Sequence, residues 1–232
     1  MAYIACAGCI SAQGTDVPEH IVSGEQADSY LKAAAHAVSL YTGKMEPGYT
    51  IRLLNHPYLD TDDYRTGLLS FEGILYPDVP MRLNLHQEEL VVLSPDRRFS
   101  VVVPRDRLDY AQIDSLFIVY GKPDIKGGDR LPEGYYVRMH HQKYQVWKHE
   151  LKLLNSDVKG LSVANSFERR VRYYVYKDEV IYPVNSEKSL LDLFLLKKKD
   201  LKRLMKQQGL NFKKNPDRAI VCVTDYCETL DR

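Results

Sequence analysis

Between residues 49 and 184 the apolar positions step by two. In VPMRLNL, Val79, Met81, Leu83 and Leu85 alternate with Pro80, Arg82 and Asn84, the period of a strand with one buried face. LVVL (90–93) and FSVVV (99–103) flank Ser94-Pro95-Asp96-Arg97-Arg98, which predicts a hairpin through a turn-rich link. LLSFEGILY (68–76) predicts another, turning at Glu72-Gly73. IDSLFIVY (113–120) reads as one further strand, and the Pro/Gly-rich stretch 122–134 as a loop. YYVRMHHQKYQVWKHELKLL (135–154) gives two strands meeting near Gln142-Lys143. VRYYVY (171–176) and VIYPV (180–184) close the series through Lys177-Asp178-Glu179. Turn signals this frequent favour an antiparallel meander, sandwich or open barrel over a parallel sheet.

The two ends change period. SGEQADSYLKAAAHAVSL (23–40) predicts a helix: Ser23 and Gln26 have capping-box spacing, the middle is rich in alanine, and Gly43 follows. Ser186 caps EKSLLDLFLLKKKDLKRLMKQQ, where Leu190, Leu193, Phe194, Leu201, Leu204 and Met205 recur at three- and four-residue steps. A break near Leu196-Lys197 splits this run, Gly209 stops it, and Pro216 opens a last helix. The expected fold class is therefore α+β. A mostly antiparallel β body carries an N-terminal helix, and C-terminal helices pack on it. Residues 23–184 form the helix and body, and 185–232 the helical segment on the same domain.

Composition narrows the function classes. The chain has 232 residues and a formal net charge of +1, so no whole-molecule field points to nucleic acid. It holds 17 Tyr against 6 Phe, which suits half-buried strands whose hydroxyls stay wet. No apolar run reaches the roughly 18 residues needed to span a bilayer as a helix.

Residues 2–12, AYIACAGCISA, are small or apolar, the length of the apolar region of an export signal. Residues 1–22 are read as a signal-peptide remnant, with cleavage after Ala12 or Gln13. Cys9, in Ala7-Gly8-Cys9, is a candidate lipidation site. The first Lys or Arg is Lys32, so the basic start that such a signal needs is missing here. The Cys6/Cys9 pair lacks the strand before it that a thioredoxin-like site requires. It also lacks the two further ligands of a zinc site.

Tyr41-Thr-Gly43-Lys, Asn55-His56-Pro57-Tyr58-Leu59, Gly73-Ile-Leu75-Tyr-Pro-Asp-Val79-Pro-Met81 and Glu89-Leu-Val-Val92 resemble a group of exported proteins of Bacteroidota. So do Tyr173-Tyr174, Tyr182-Pro-Val184, Ser189-Leu-Leu191, Lys197-Lys-Lys199 and Gly209-Leu-Asn-Phe-Lys-Lys214. The resemblance covers most of the chain after residue 40. It implies export, a β-rich body with a helical end and a cell-envelope role, and it carries over no catalytic residue.

Candidate chemistry is sparse. His140, His141 and His149 invite a metal reading, but adjacent strand residues point to opposite faces, so a wet hairpin face is expected. Asp60-Thr61-Asp62-Asp63 places three carboxylates in four residues. Counting from Asp60, Arg65 and Phe71 stand where a calcium loop needs Gly and Glu, so a solvated acidic turn is expected. His56, beside Pro57 and Tyr58, is expected to latch its loop by bonding backbone groups, and His56 and Tyr58 are candidate interaction residues. Residues 197–214 hold eight Lys or Arg and one Asp. Lys198, Lys202 and Lys206 share one helix face, a solvated surface or a contact for anionic lipid head groups or an acidic partner. Cys222 and Cys227 sit about 140° apart on a helix and read as unpaired thiols. No G-x-S-x-G, phosphate loop or G-x-G-x-x-G occurs, and no cofactor, metal or nucleic-acid signature is found.

The leading expectation is a non-enzymatic exported cell-envelope protein, a binding or assembly module for an envelope protein, glycan or lipid. The alternative is a hydrolase-like enzyme centred on His56 and the Asp60–Asp63 loop.

Overall fold

The computed structural model describes residues 39–121, 123, 125–159 and 162–230. The expected helix 23–40 falls outside these residues except for its last turn at Ser39-Leu40. The signal-peptide stretch and Cys9 lie wholly outside them.

Among the described residues ten antiparallel strands form one sheet: β1 (Arg65–Phe71), β2 (Ile74–Asn84), β3 (Glu89–Leu93), β4 (Ser100–Val102), β5 (Leu108–Ile113), β6 (Leu116–Tyr120), β7 (Tyr135–His141), β8 (Gln145–Lys159), β9 (Ser162–Lys177) and β10 (Val180–Val184). Their order is β10-β9-β8-β7-β6-β5-β1-β2-β3-β4. Two meanders thus share a sheet, joined where β5 pairs with β1. The mostly antiparallel α+β class expected from the pattern is present.

Turn chemistry explains most boundaries. Glu72 and Gly73 both have positive φ (53° and 73°), as do Asp178 and Glu179 (50° and 62°). That geometry matches the right-handed twist of the strands it joins. One expectation is corrected. Residues 113–120 are not one strand, because the chain reverses between Ile113 and Leu116. Asp114, at φ 52°, makes the turn, and Asp tolerates that region without glycine's sequence signal. The β8–β9 hairpin is also longer than the pattern indicates. Only Gln145–His149 of β8 pair with β7, and only Tyr173–Lys177 of β9 pair with β10. Beyond them the two strands continue as an arm. Polar residues on both of its faces erase the period-two signal there.

One sheet face carries two cores. The half containing β1 to β7 curls around Phe71, Met81, Leu83, Leu90, Ile113 and Ile118, and register shifts at Gly67/Leu69, Ser70/Phe71 and Arg138/His140 supply local bends. The other half is covered by helices α1 (Glu187–Asp192), α2 (Lys198–Gln207) and α3 (Pro216–Leu230). Leu190, Leu201, Met205, Ile220 and Val223 from these helices meet Val146, Val175 and Val184 from the strands. Ser186 and Ser189 cap α1 reciprocally. A short 3-10 turn, Leu195–Lys197, separates α1 from α2, the break that the sequence places there. On the opposite face Leu131 of the 122–134 loop packs on Tyr136, Trp147 and Tyr174.

A partly buried charge cluster joins α3 to the sheet. Asp217, in the first turn of α3, accepts hydrogen bonds from Lys148 Nζ at 3.0 Å and from the Tyr173 hydroxyl. Glu150, 4% exposed, sits 3.3 Å from Lys148 and pairs with Arg169. A carboxylate at a helix N-terminus also complements the helix dipole. Burial, and then Asp217, raises the Tyr173 phenol well above its usual range.

Gly67 tests the curl. A Cβ there would stand 2.2 Å from the Gln112 carbonyl oxygen of β5, whereas one at Gly48 would meet nothing within 4 Å. Gly67→Ala is expected to cost about 1–3 kcal/mol through overpacking against backbone and Gly48→Ala almost nothing, as read from urea midpoints.

Candidate functional site

The His56 motif lies on a strap, residues 53–59, that crosses the open side of the curled sheet. At one end the Leu54 N–H donates to the Asn165 carbonyl. There Asn55 also exchanges two hydrogen bonds with the Phe167 backbone, at 2.9 and 2.7 Å. At the other end Leu59 N–H donates to Leu83 O and Leu85 N–H to Pro57 O, both at 2.9 Å. Lys152 of β8 clasps the middle: its Nζ donates to the carbonyls of His56 and Tyr58 at 3.0 and 2.6 Å. The Lys152 N–H donates to Leu85 O at 3.1 Å, so the same residue ties the strap and the β2 end to β8.

The latch at His56 therefore runs through its backbone carbonyl. The ring lies parallel to Tyr58 at 6.3 Å, and its Nδ1 is buried without a hydrogen-bond partner. Burial lowers its pKa from the usual value, and the Lys152 ammonium lowers it further, against the pull of Asp62, the Tyr58 backbone and Asp60. No hydroxyl or thiol bonds the ring among the described residues. Asp60 is exposed and sits 3.5 Å from Arg65; Thr61 bonds Asp63, and the Asp62 carbonyl accepts from Arg82.

Tyr58 points into a joint. Its hydroxyl donates to Glu46 at 2.7 Å, and burial followed by Glu46 raises its pKa strongly. The Arg82 guanidinium pairs with Glu46 at 2.7 Å, held between the Tyr58 and Tyr64 rings at 3.8 and 4.3 Å. Such stacking fixes the guanidinium plane.

The other sequence candidates separate. Lys202 and Lys206 are exposed on α2, while Lys198 is half-buried and bonds Asp192 at 2.6 Å. His141 is exposed as expected, but His140 and His149 are not on a wet face. The His140 side chain is 8% exposed, 3.1 Å from Glu228 of α3, and His149 is 3% exposed, stacked on Tyr136. The covering helix and loop, invisible to strand alternation, bury them. Among the described residues no group of three His, Cys, Asp or Glu is placed to hold a metal. Among the described residues neither Cys222 nor Cys227 forms a disulfide.

Sequence reasoning missed the outer sheet face. Gln112, Phe117, Arg138, Trp147, Tyr174 and Pro183 are successive cross-strand neighbours on β5 to β10, so they form one row on the side away from the main cores. Two clefts open along it. One, about 560 Å³, lies between the 126–131 loop and Tyr174, Ile181 and Pro183. The other, about 360 Å³, is lined by Phe117, Arg138 and Trp147, with Asp109, His141 and Gln145. Each strand's alternation hinted at its outward residue, but only register aligns the row. Neither cleft includes His56 or the Asp60–Asp63 loop.

No protein-family model, curated protein or solved structure matches the chain.

Lys152→Met removes the clasp and leaves two carbonyls without their donor, an expected loss of about 2 kcal/mol in urea unfolding. His56→Ala, which keeps the bonded carbonyl, is expected to lose less than half as much. The lowered His56 pKa has a definite sign. The unfolded chain takes up the proton first as pH falls below the usual His value of about 6.5, so stability is full above that value and declines below it. Between pH 7 and 5 the urea midpoint should fall less in His56→Asn than in the parent protein.

Proposed function

We propose that the protein is a non-enzymatic exported module of the bacterial cell envelope, which binds its ligand on the outer face of the sheet. The observation that carries this reading is a contrast in how charge is used. Glu46 with Arg82, Asp217 with Lys148, and Glu150 with Arg169 each join two elements. The aromatic row on the outer face instead borders two open clefts. Export and the envelope rest on the apolar start and on the resemblance to exported Bacteroidota proteins. The exposed Lys202 and Lys206 of α2 offer a weak secondary contact for an anionic surface.

Fractionation of the native host, with N-terminal sequencing of the mature chain, tests the compartment. A shortened chain in the envelope fraction is expected; an intact cytoplasmic chain overturns export. Co-sedimentation with isolated envelope polysaccharide and membrane tests binding. Retention that survives His56→Ala is expected, and absence of retention on every envelope fraction overturns the binding role.

A further inference from the structure

Five arginines among the described residues are half-buried: Arg65, Arg82, Arg105, Arg107 and Arg138. The first four have partners. Arg65 reaches Asp114 and Arg82 reaches Glu46, while Arg105 donates to the Gln87 carbonyl and Arg107 to Glu72. Arg138 has no ion pair or hydrogen bond among the described residues. Its guanidinium lies 3.8 Å over the centroid of Phe117, and Phe117 itself stacks with Tyr110 at 5.0 Å. The cation is thus fixed in position and partly desolvated, with its fork of donors unused. A half-buried guanidinium without an acceptor costs free energy. An incoming carboxylate relieves that cost with paired charge-assisted hydrogen bonds.

The surroundings narrow the ligand further. We infer that the cleft at Arg138 binds an acidic sugar, a hydroxylated ring bearing one carboxylate. Its volume of about 360 Å³ lies at the small end of ligand pockets, enough for a short saccharide and too little for a folded partner. Phe117 and the edge of Trp147, itself 5% exposed, give the cleft its apolar border. The Trp147 indole N–H donates to Gln145 Oε1 at 3.2 Å, which orients the Gln145 amide and leaves its NH₂ group to donate to hydroxyl oxygens. Asp109, which also lines the cleft, accepts through Oδ2 from Ser70 Oγ at 2.8 Å and from Gly73 N at 2.7 Å. That carboxylate is held in place as an acceptor for ligand hydroxyls. An anion-binding group beside a hydroxyl acceptor suits a sugar acid, with one carboxylate per hydroxylated ring; the second charge of a phosphate group is disfavoured beside Asp109. This assignment rests on the reading of the protein as a binding module.

Trp147 is the only tryptophan in the chain, so intrinsic fluorescence reports this cleft directly. The full-length protein is titrated with trigalacturonate, neutral cellotriose and inorganic phosphate. A saturable change with trigalacturonate alone is expected. Arg138→Met, which keeps an apolar stem over Phe117, should weaken it by about 10- to 100-fold, the loss of a charged hydrogen-bonding partner. The urea midpoint of that variant should be no lower than the parent's, which separates lost binding from lost folding. An equal response to cellotriose, a response to phosphate alone, an unchanged affinity in Arg138→Met, or no response at all overturns the assignment. If it fails while envelope co-sedimentation persists, the ligand sits elsewhere on a binding module; if both fail, the binding role fails with it.

Discussion

Lys152 holds the open side of the sheet together. A curled antiparallel sheet has a seam where its curvature brings distant strands near each other without making them ladder partners. Here the seam runs between the end of β2 and the outer part of β8. Lys152 crosses it twice, by backbone to Leu85 and by side chain to His56 and Tyr58. Burial makes the ammonium costly, as its lowered pKa reflects. The two carbonyls it satisfies would otherwise lack a donor, so one residue offsets three polar costs. The strap it clasps also carries Tyr58, and through the Tyr58 hydroxyl it meets the Glu46–Arg82 pair. Curl, strap and joint therefore depend on one another.

The second half of the sheet is stabilised differently. It does not close on itself; three helices cover it. Apolar contact supplies the bulk of the attachment, and two polar joints fix orientation along α3. Asp217 meets Lys148 and Tyr173 at one end. At the other end Glu228 accepts the Tyr144 N–H at 2.6 Å and faces His140. Buried ionic groups of this kind contribute little net stability compared with apolar replacements. Their value here is directional, because a helix pinned at both ends cannot slide along its apolar stripe. Among the described residues, Leu131 covers Trp147 and Tyr174 in the middle of the row on the other side of β5 to β10, and the two clefts open beside that cover.

The strands, most turns and the C-terminal helices were legible because each depends on neighbours within a few residues. Period-two alternation marked β2, and Glu72-Gly73 marked its turn. Ser186 and Pro216 marked helix starts. The 113–120 hairpin was hidden because Asp114 adopts a turn conformation more often signalled by glycine. The arm of β8 and β9 was hidden because neither of its faces is fully buried. For the candidate site, the sequence drew attention to His56, whose carbonyl accepts from Lys152 across the strap. Arg138 and Trp147 drew no attention at all, because nothing in their local spacing sets them apart from other strand residues.

By itself the sequence determined what is local: a strand-rich body, a helical C-terminal end, the positions of caps and turns, and the absence of familiar catalytic motifs. Side-chain period and backbone preference act over one or two turns of chain, and those are printed in the order of residues. Tertiary structure alone decided which strands became neighbours, which histidines were buried, that Lys152 spans the seam to His56, and that Arg138 lies against Phe117 without a counter-ion among the described residues. Each of these follows from register and curvature across strands far apart in the chain, set jointly by the packing of many residues at once. No short stretch of sequence carries that information.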